Sequence, residues 1–132
     1  MYRCGLFVAA ALALSSCSKP DTSAADLEKL TNDYTYGSLA LSPSTATQSG
    51  YHVHNGVKLD EMLDDYSPAA LDASHKFVKD IETRVNAMAN AKLDKEQQAD
   101  LDIIKNNLNL SLLELDTIQS YKHNPKIGRA HV

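Results

Sequence analysis

Tryptophan is absent from this 132-residue chain, and phenylalanine occurs only twice. Cysteine also occurs only twice, at Cys4 and Cys17, so the framework of several disulfides that supports many small secreted domains is excluded. Basic residues are outnumbered by acidic ones, 13 against 17, which gives a net charge of −4. Because phosphate binding needs clustered lysine and arginine, we expect no nucleic-acid partner.

Long hydrophobic segments are scarce as well. The one nearly unbroken apolar run covers residues 5–14, and it is too short for a membrane-spanning helix, which needs ~20 apolar residues. A single basic residue, Arg3, precedes the run and small residues follow it. This order is typical of a secretory signal peptide. We therefore expect residues 1–16 to be a signal that is removed, and the protein to be exported.

The end of this segment indicates lipid attachment. Residues 14–17 read Leu-Ser-Ser-Cys and resemble the bacterial lipobox, in which a lipid is attached to the cysteine sulfur. Cys17 is thus the predicted lipidation site and the lipid is the predicted link to the membrane. Ser18 follows in place of the aspartate that usually retains lipoproteins in the inner membrane, which favours an outer-membrane lipoprotein facing the periplasm. The alternative is an ordinary signal peptide with an incidental cysteine.

The rest of the chain shows helical periodicity. We predict an all-α fold: a polar tether over residues 17–25, an N-terminal helix over 26–41, an irregular loop over 42–67, and an antiparallel helical hairpin. The first helix is interrupted by Gly37. Ser67 followed by Pro68 is a good start for the second helix. Asp94 with Gln97 three residues later predicts a capping box at the start of the third, which we expect to run to about residue 121.

The third helix has two apolar stripes. One consists of Leu101, Ile104, Leu108, Leu112 and Leu115, and the other of Ile103, Leu110 and Leu113. The second helix can cover only one of them, although each leucine is worth ~1.5–3 kcal/mol when buried. We therefore expect a fragment of a larger helical domain. The alternative is dimerisation through the uncovered stripe.

The last residues also suggest a truncated sequence. Residues 126–132 can be read as one frame of a common sequencing-library adapter, and the alternative is a genuine basic tail. We expect the part of this sequence that comes from the gene to stop near Pro125, where the gene was cut by its sequencing read. Residues 26–125 are then the predicted helical part of the domain.

Several short motifs along residues 39–125 resemble the bacterial family called Domain of Unknown Function 885. The first is residues 42–52, with a proline, an Ala-Thr pair and a Gly-x-His group. The later ones are Leu59-Asp60-Glu61, Asp65-Tyr66-Ser67, residues 100–104 and residues 121–125.

The resemblance implies that the full-length parent is a longer, mostly helical, zinc-dependent peptidase that takes peptide substrates. Its metal motif, a His-Glu pair followed by Pro-Gly-His, is expected further along, and no His-Glu pair occurs in this chain. We therefore predict no catalytic residue, metal ligand or cofactor within the fragment, and assign zinc and hydrolysis to the parent. The alternative is a non-enzymatic envelope lipoprotein whose helical hairpin binds a protein partner.

Three residues of the loop are candidates for lining the parent's cleft: Gly50, His52 and His54. The alternative is a turn glycine and histidines that fix the loop. For the pair His52 and His54 we favour a surface or cleft-lining loop. The alternative is a weak metal site, in which the two histidines, two apart in an extended segment, point the same way and the nearby Asp60 or the adjacent Asp64 and Asp65 add oxygen ligands. For those two adjacent aspartates we favour a structural role at a helix start over acid–base chemistry.

Overall fold

The computed structural model describes residues 23–123. In chain order the helices are α1 (Ser23–Ala40), α2 (Pro43–Gln48), α3 (Pro68–Ala87), α4 (Lys95–Leu113) and α5 (Ser120–His123). The β-structure within this part of the chain is one antiparallel hairpin, β1 (Val53–His54) paired with β2 (Val57–Lys58). The predicted all-α fold is confirmed. The predicted signal peptide, Cys17 and residues 126–132 lie outside the described residues.

The core is formed where the three long helices α1, α3 and α4 meet. Its buried members are Leu27, Leu30, Val78, Ile81, Val85, Leu101, Ile104 and Leu108. These positions recur at spacings of three and four in α3 and α4 and lie three apart in α1, so each helix buries one side. At about 1.5–3 kcal/mol per side chain, this cluster is the main stabilising contact of the bundle.

Helices α3 and α4, the two helices of the helical hairpin, both begin where the sequence predicts. The Ser67 hydroxyl accepts a hydrogen bond from the Ala70 N–H, and Pro68 occupies the first helical position of α3. At α4, Asp94 accepts from the Gln97 N–H at 2.9 Å and the Gln97 side chain accepts from the Asp94 N–H at 3.0 Å. The capping box is therefore present, and it satisfies two N–H groups that the helix leaves unpaired.

Helix α1 differs from the prediction at its start and in its middle. It begins at Ser23, so residues 23–25 belong to the helix and not to the tether. Ala24 and Ala25 explain this extension, because alanine has the highest helix propensity. The helix also continues through Gly37, where a Cβ would lie only 2.5 Å from the Phe77 ring. Glycine is thus present to admit a ring of α3.

The loop over residues 42–67 is more regular than predicted. Proline at the first position of α2 suits a helix start, and Asp64 caps this helix from 20 residues away by accepting the Ser44 N–H at 3.0 Å. Asn55 and Gly56 join β1 to β2 with φ angles of 48° and 81°. Positive φ at both central residues is typical of a tight hairpin turn. A 3₁₀ turn, Leu59–Glu61, follows the hairpin.

Helix α4 ends earlier than predicted. A π-helical turn, Glu114–Ile118, follows Leu113, and Gln119 then adopts a left-handed conformation with φ of 51°. The Glu114 carboxylate accepts hydrogen bonds from the Ser120 N–H, at 2.8 Å, and from the Ser120 hydroxyl. These local bonds replace helical ones, so the chain turns before α5 begins.

Candidate functional site

A groove of about 540 Å³ lies between α1, the start of α3 and the end of α4. We call it the main groove. Its apolar and aromatic lining comes from Tyr34, Leu41, Tyr66, Leu71, Phe77, Val78, Leu110, Leu115 and Tyr121. A concave, mostly apolar surface with a few polar groups is the usual form of a ligand site.

Two tyrosines form one wall of the main groove. The rings of Tyr66 and Tyr121 stack with centroids 6.2 Å apart and an angle of 15° between their planes. The Lys122 ammonium lies 5.6 Å from the Tyr121 ring centroid. The faces of aromatic rings are rich in electron density and attract cations, which explains this contact. A ligand at this wall meets flat, amphipathic surfaces.

The charged residues in the main groove all carry the same sign. Asp64, Asp65 and Glu114 line it, and its lining contains no lysine, arginine or histidine. Hydrogen bonds from the hydroxyl and N–H of Ser120 lower the pKa of Glu114 below its ordinary value. The groove thus presents negative charge beside its apolar wall.

Local hydrogen bonds hold the two adjacent aspartates of the groove apart. Asp64 caps α2 through Ser44, as described above, whereas Asp65 accepts from the Ser67 N–H at 2.8 Å and the Ser67 hydroxyl at 3.0 Å. Each carboxylate therefore serves the N-terminus of a different helix. This arrangement agrees with the structural role predicted for the pair.

The predicted loop residues lie around the β-hairpin and outside the main groove. Gly50 has φ of 78°, and a Cβ added there would have no neighbour within 4 Å, so it is a turn glycine. His54 borders a second groove of about 490 Å³ between the hairpin and α1. His52 is exposed, and its Nδ1 lies 2.8 Å from Asp60 Oδ1.

The structure contradicts the idea that His52, His54 and the loop aspartates converge on one metal ion. His52 is bonded to Asp60, whereas His54 has its two ring nitrogens within 3.0 Å of Tyr51 Oη and Asn55 Nδ2. The carboxylates of residues 64 and 65 are bonded to α2 and α3. Strand β1 begins at Val53, so only His54 of the two histidines lies in the strand.

The Asp60 carboxylate is the centre of a small exposed cluster. It accepts the Thr47 hydroxyl at 2.7 Å in addition to its contact with His52. The hydrogen bond from His52, followed by that from Thr47, lowers the pKa of Asp60. This cluster ties the end of α2 to the 3₁₀ turn, so its role is to fix the hairpin against α2.

The zinc centre that the family resemblance implies is expected further along the parent, outside the described residues. Within residues 23–123, no three His, Cys, Asp or Glu side chains are placed to share a metal ion. The same part of the chain contains no helix long and apolar enough to span a bilayer. No step of hydrolysis is therefore assigned to these residues.

The tyrosines of the main groove were not predicted from the sequence. Tyr34, Tyr66 and Tyr121 come from three segments far apart in the chain, and no spacing rule joins them. The β-hairpin, in contrast, carries a recognisable signal, because Asn-Gly flanked by alternating apolar and polar residues is a strong hairpin motif.

Comparisons with protein-family models, with curated proteins and with solved structures give no match for this chain. The resemblance to the Domain of Unknown Function 885 family therefore stays a prediction.

Proposed function

We propose that this chain belongs to an exported, lipid-anchored protein of the cell envelope, and that its helical bundle binds a peptide segment in the main groove. The observation that carries the proposal is the combination of an apolar, tyrosine-walled groove with three carboxylates in its lining, Asp64, Asp65 and Glu114, against one cation, Lys122, beside its Tyr121 wall. The occupant that fits is a peptide with bulky apolar side chains and at least one lysine or arginine.

The anchor in this proposal is the lipid predicted on Cys17. The described residues offer no membrane-spanning helix, and the net charge of −4 does not favour adsorption to anionic lipid. The anchor would hold the bundle at the outer membrane, facing the periplasm, where peptide segments of other envelope proteins are within reach.

The family resemblance extends the same proposal to a full-length parent. In a zinc peptidase, helices such as α1, α3 and α4 would form a wall of the cleft that admits the substrate. A groove suited to a peptide supports this role. The metal and the residues that act with it would come from elsewhere in the parent.

A second candidate function is the non-enzymatic lipoprotein whose helical hairpin binds a protein partner. The observation that favours it is the side of α4 that faces away from the core, where Ile103, Leu110 and Leu113 remain 57%, 63% and 45% exposed. Apolar residues left in water on one helix face are typical of an interaction surface.

The test of groove binding is a titration with two labelled short peptides that share the same leucines and carry either lysine or glutamate. Fluorescence anisotropy with the purified chain should show at least about tenfold tighter binding of the lysine peptide, with affinity falling as salt is added. Tyr66→Ala should weaken binding. The matched control is Tyr36→Ala, an exposed tyrosine outside the main groove. Equal binding of the two peptides, or binding unaffected by Tyr66→Ala, would contradict the proposal.

A further inference from the structure

The side of α4 opposite the core carries a second, ordered pattern of residues, one of which, Leu110, also borders the main groove. Ala99, Ile103, Asn106, Leu110 and Leu113 are separated by alternating steps of four and three, and all five are exposed. This is the spacing of the two seam positions in a coiled coil. We call this set the outer seam.

The outer seam continues past the end of α4. In the π-helical turn each hydrogen bond closes over five residues, and Ile118 follows Leu113 at that distance with 50% of its surface exposed. An apolar residue is thus present one turn further along. The π-helical turn lengthens the apolar surface instead of ending it.

From this pattern we infer that the outer seam binds a second copy of this chain, with the two α4 helices side by side and parallel. In a parallel pair each seam residue faces its own counterpart. Asn106 would then meet the Asn106 of the other copy, where two amides can satisfy each other by hydrogen bonding. A shift in register would leave each amide facing an apolar residue with no hydrogen-bond partner, so this pair favours a single register.

The charges beside the outer seam support a parallel pair. In a parallel coiled coil, the residue just before the first seam position of a heptad lies beside a residue of the other helix. That neighbour stands five positions further along the sequence. The resulting neighbours are Lys95 with Asp100, Asp102 with Asn107, and Asn109 with Glu114. One of these pairs is attractive, and none joins two charges of the same sign.

An antiparallel pair is less compatible with the same residues. It would bring Asp100 near one end of the seam towards Glu114 at the other end, so two carboxylates would face each other. Like charges across such an interface reduce affinity. The parallel arrangement therefore follows from the sequence order along α4.

Association through the outer seam needs no new folding. A seam of little more than two heptads is too short to form a stable coiled coil from free chains. Here, however, α4 is already held by α1 and α3 through Leu101, Ile104 and Leu108. Because α4 is already helical, the free energy gained by apolar contact between two copies is not reduced by the entropic cost of forming the helix.

The first experiment is sedimentation equilibrium of the purified full chain over a series of concentrations. We expect a monomer–dimer equilibrium, and Ile103→Ala with Leu113→Ala should weaken it at least about tenfold, because both copies lose apolar contact. Val57→Ala, at a valine equally exposed on the hairpin, is the control that should leave it unchanged. A chain that stays monomeric, or a dimer that Ile103→Ala with Leu113→Ala does not weaken, overturns the inference.

Cysteine crosslinking tests the orientation. Ala99→Cys and Leu113→Cys should each form a disulfide with its own counterpart, because only a parallel pair brings equal positions within the Cα distance that a disulfide allows. The unsubstituted chain, with Cys4 and Cys17, measures background. Crosslinks that appear only when the two variants are mixed indicate an antiparallel pair and overturn the inference, as does the absence of crosslinks at the seam. Tyr66→Ala separates this dimer from groove binding, since it should leave both results unchanged.

Discussion

At the scale of single residues, the contact between Gly37 and Phe77 fixes how closely α1 approaches α3. A Cβ at position 37 would lie 2.5 Å and 2.7 Å from the far end of the ring, whereas ordinary contacts between carbon atoms are near 3.5–4.0 Å. Helix propensity alone would favour alanine here. The ring contact therefore explains a glycine that reads, in the sequence, as an interruption.

We expect Gly37→Ala to lower the free energy of unfolding by about 1–2 kcal/mol, because overpacking outweighs the gain in helix propensity. In the background of Phe77→Leu, which lacks the two ring atoms, the same substitution should raise it by about 0.5–1 kcal/mol. Urea unfolding of the four proteins measures this cycle. The same sign in both backgrounds would show that the ring does not determine the residue at position 37.

Asp33 gives the bundle a dependence on pH. Its carboxylate lies 2.7 Å from both the Lys29 ammonium and the Arg84 guanidinium. The hydrogen bond from Lys29, followed by that from Arg84, lowers the pKa of Asp33 below its ordinary value of 3.8. The ionised form is therefore favoured in the folded state. Its contribution is fully present above the ordinary pKa and is lost as the pH falls through the lowered one.

The free energy of unfolding should fall as the pH is lowered below the ordinary pKa of Asp33. Asp33→Asn should make this fall smaller, because the substituted side chain has no charge to lose. Since the side chain is 40% exposed, we expect an effect no larger than about 1 kcal/mol at neutral pH. Urea unfolding at several pH values measures it, with Asp72→Asn, an exposed carboxylate of α3, as the control. Parallel pH profiles for Asp33→Asn and the unsubstituted chain would rule out this role.

At the scale of elements, the sequence predicts the starts of α3 and α4 better than the end of α4. Ser67 with Pro68 and Asp94 with Gln97 act within four residues, so short motifs reveal α3 and α4. The end of α4 depends instead on a π-helical turn and on the left-handed Gln119, for which no strong local signal exists. Likewise α2 is capped by Asp64, which lies 20 residues away, and only the fold brings the two together.

The cap of α4 allows a direct comparison of two aspartates on one helix. Asp94→Ala should cost about 1 kcal/mol, because the Gln97 N–H and the first turn lose their partner. Asp100→Ala, further along the helix at an exposed site, should change stability by less than about 0.5 kcal/mol. Thermal unfolding followed by circular dichroism measures both. Equal losses would mean that the capping box does not determine where α4 starts.

At the scale of the whole molecule, export and lipid attachment can be tested apart from the fold. Expressed in a bacterium fed with an alkyne-tagged fatty acid, the chain should be labelled and recovered in the outer-membrane fraction. Cys17→Ser should abolish the label, because serine cannot form the thioether. Cys4→Ser, in the segment that is expected to be removed, is the matched control. A label that persists in Cys17→Ser, or its absence from the unsubstituted chain, would refute the proposed anchor.

The main groove shows where prediction from this sequence ends. The core stripes of α3 and α4 follow from spacing, and so does the uncovered stripe with Ile103, Leu110 and Leu113. The main groove depends on how α1 and the segment around Tyr66 pack against the helical hairpin of α3 and α4. The angles at which these elements pack are not encoded in any short motif. Its tyrosines are therefore visible as a site only in three dimensions.

Binding of an apolar and basic peptide in the main groove is the proposal on which the function of this bundle depends. Amide chemical shifts of the purified chain, recorded while the lysine peptide is added, report which residues the peptide contacts. We expect the largest changes on Tyr66, Leu71, Phe77 and Tyr121, and little change when the glutamate peptide is added instead. Changes that centre on the β-hairpin, or that are the same for both peptides, would contradict the proposal.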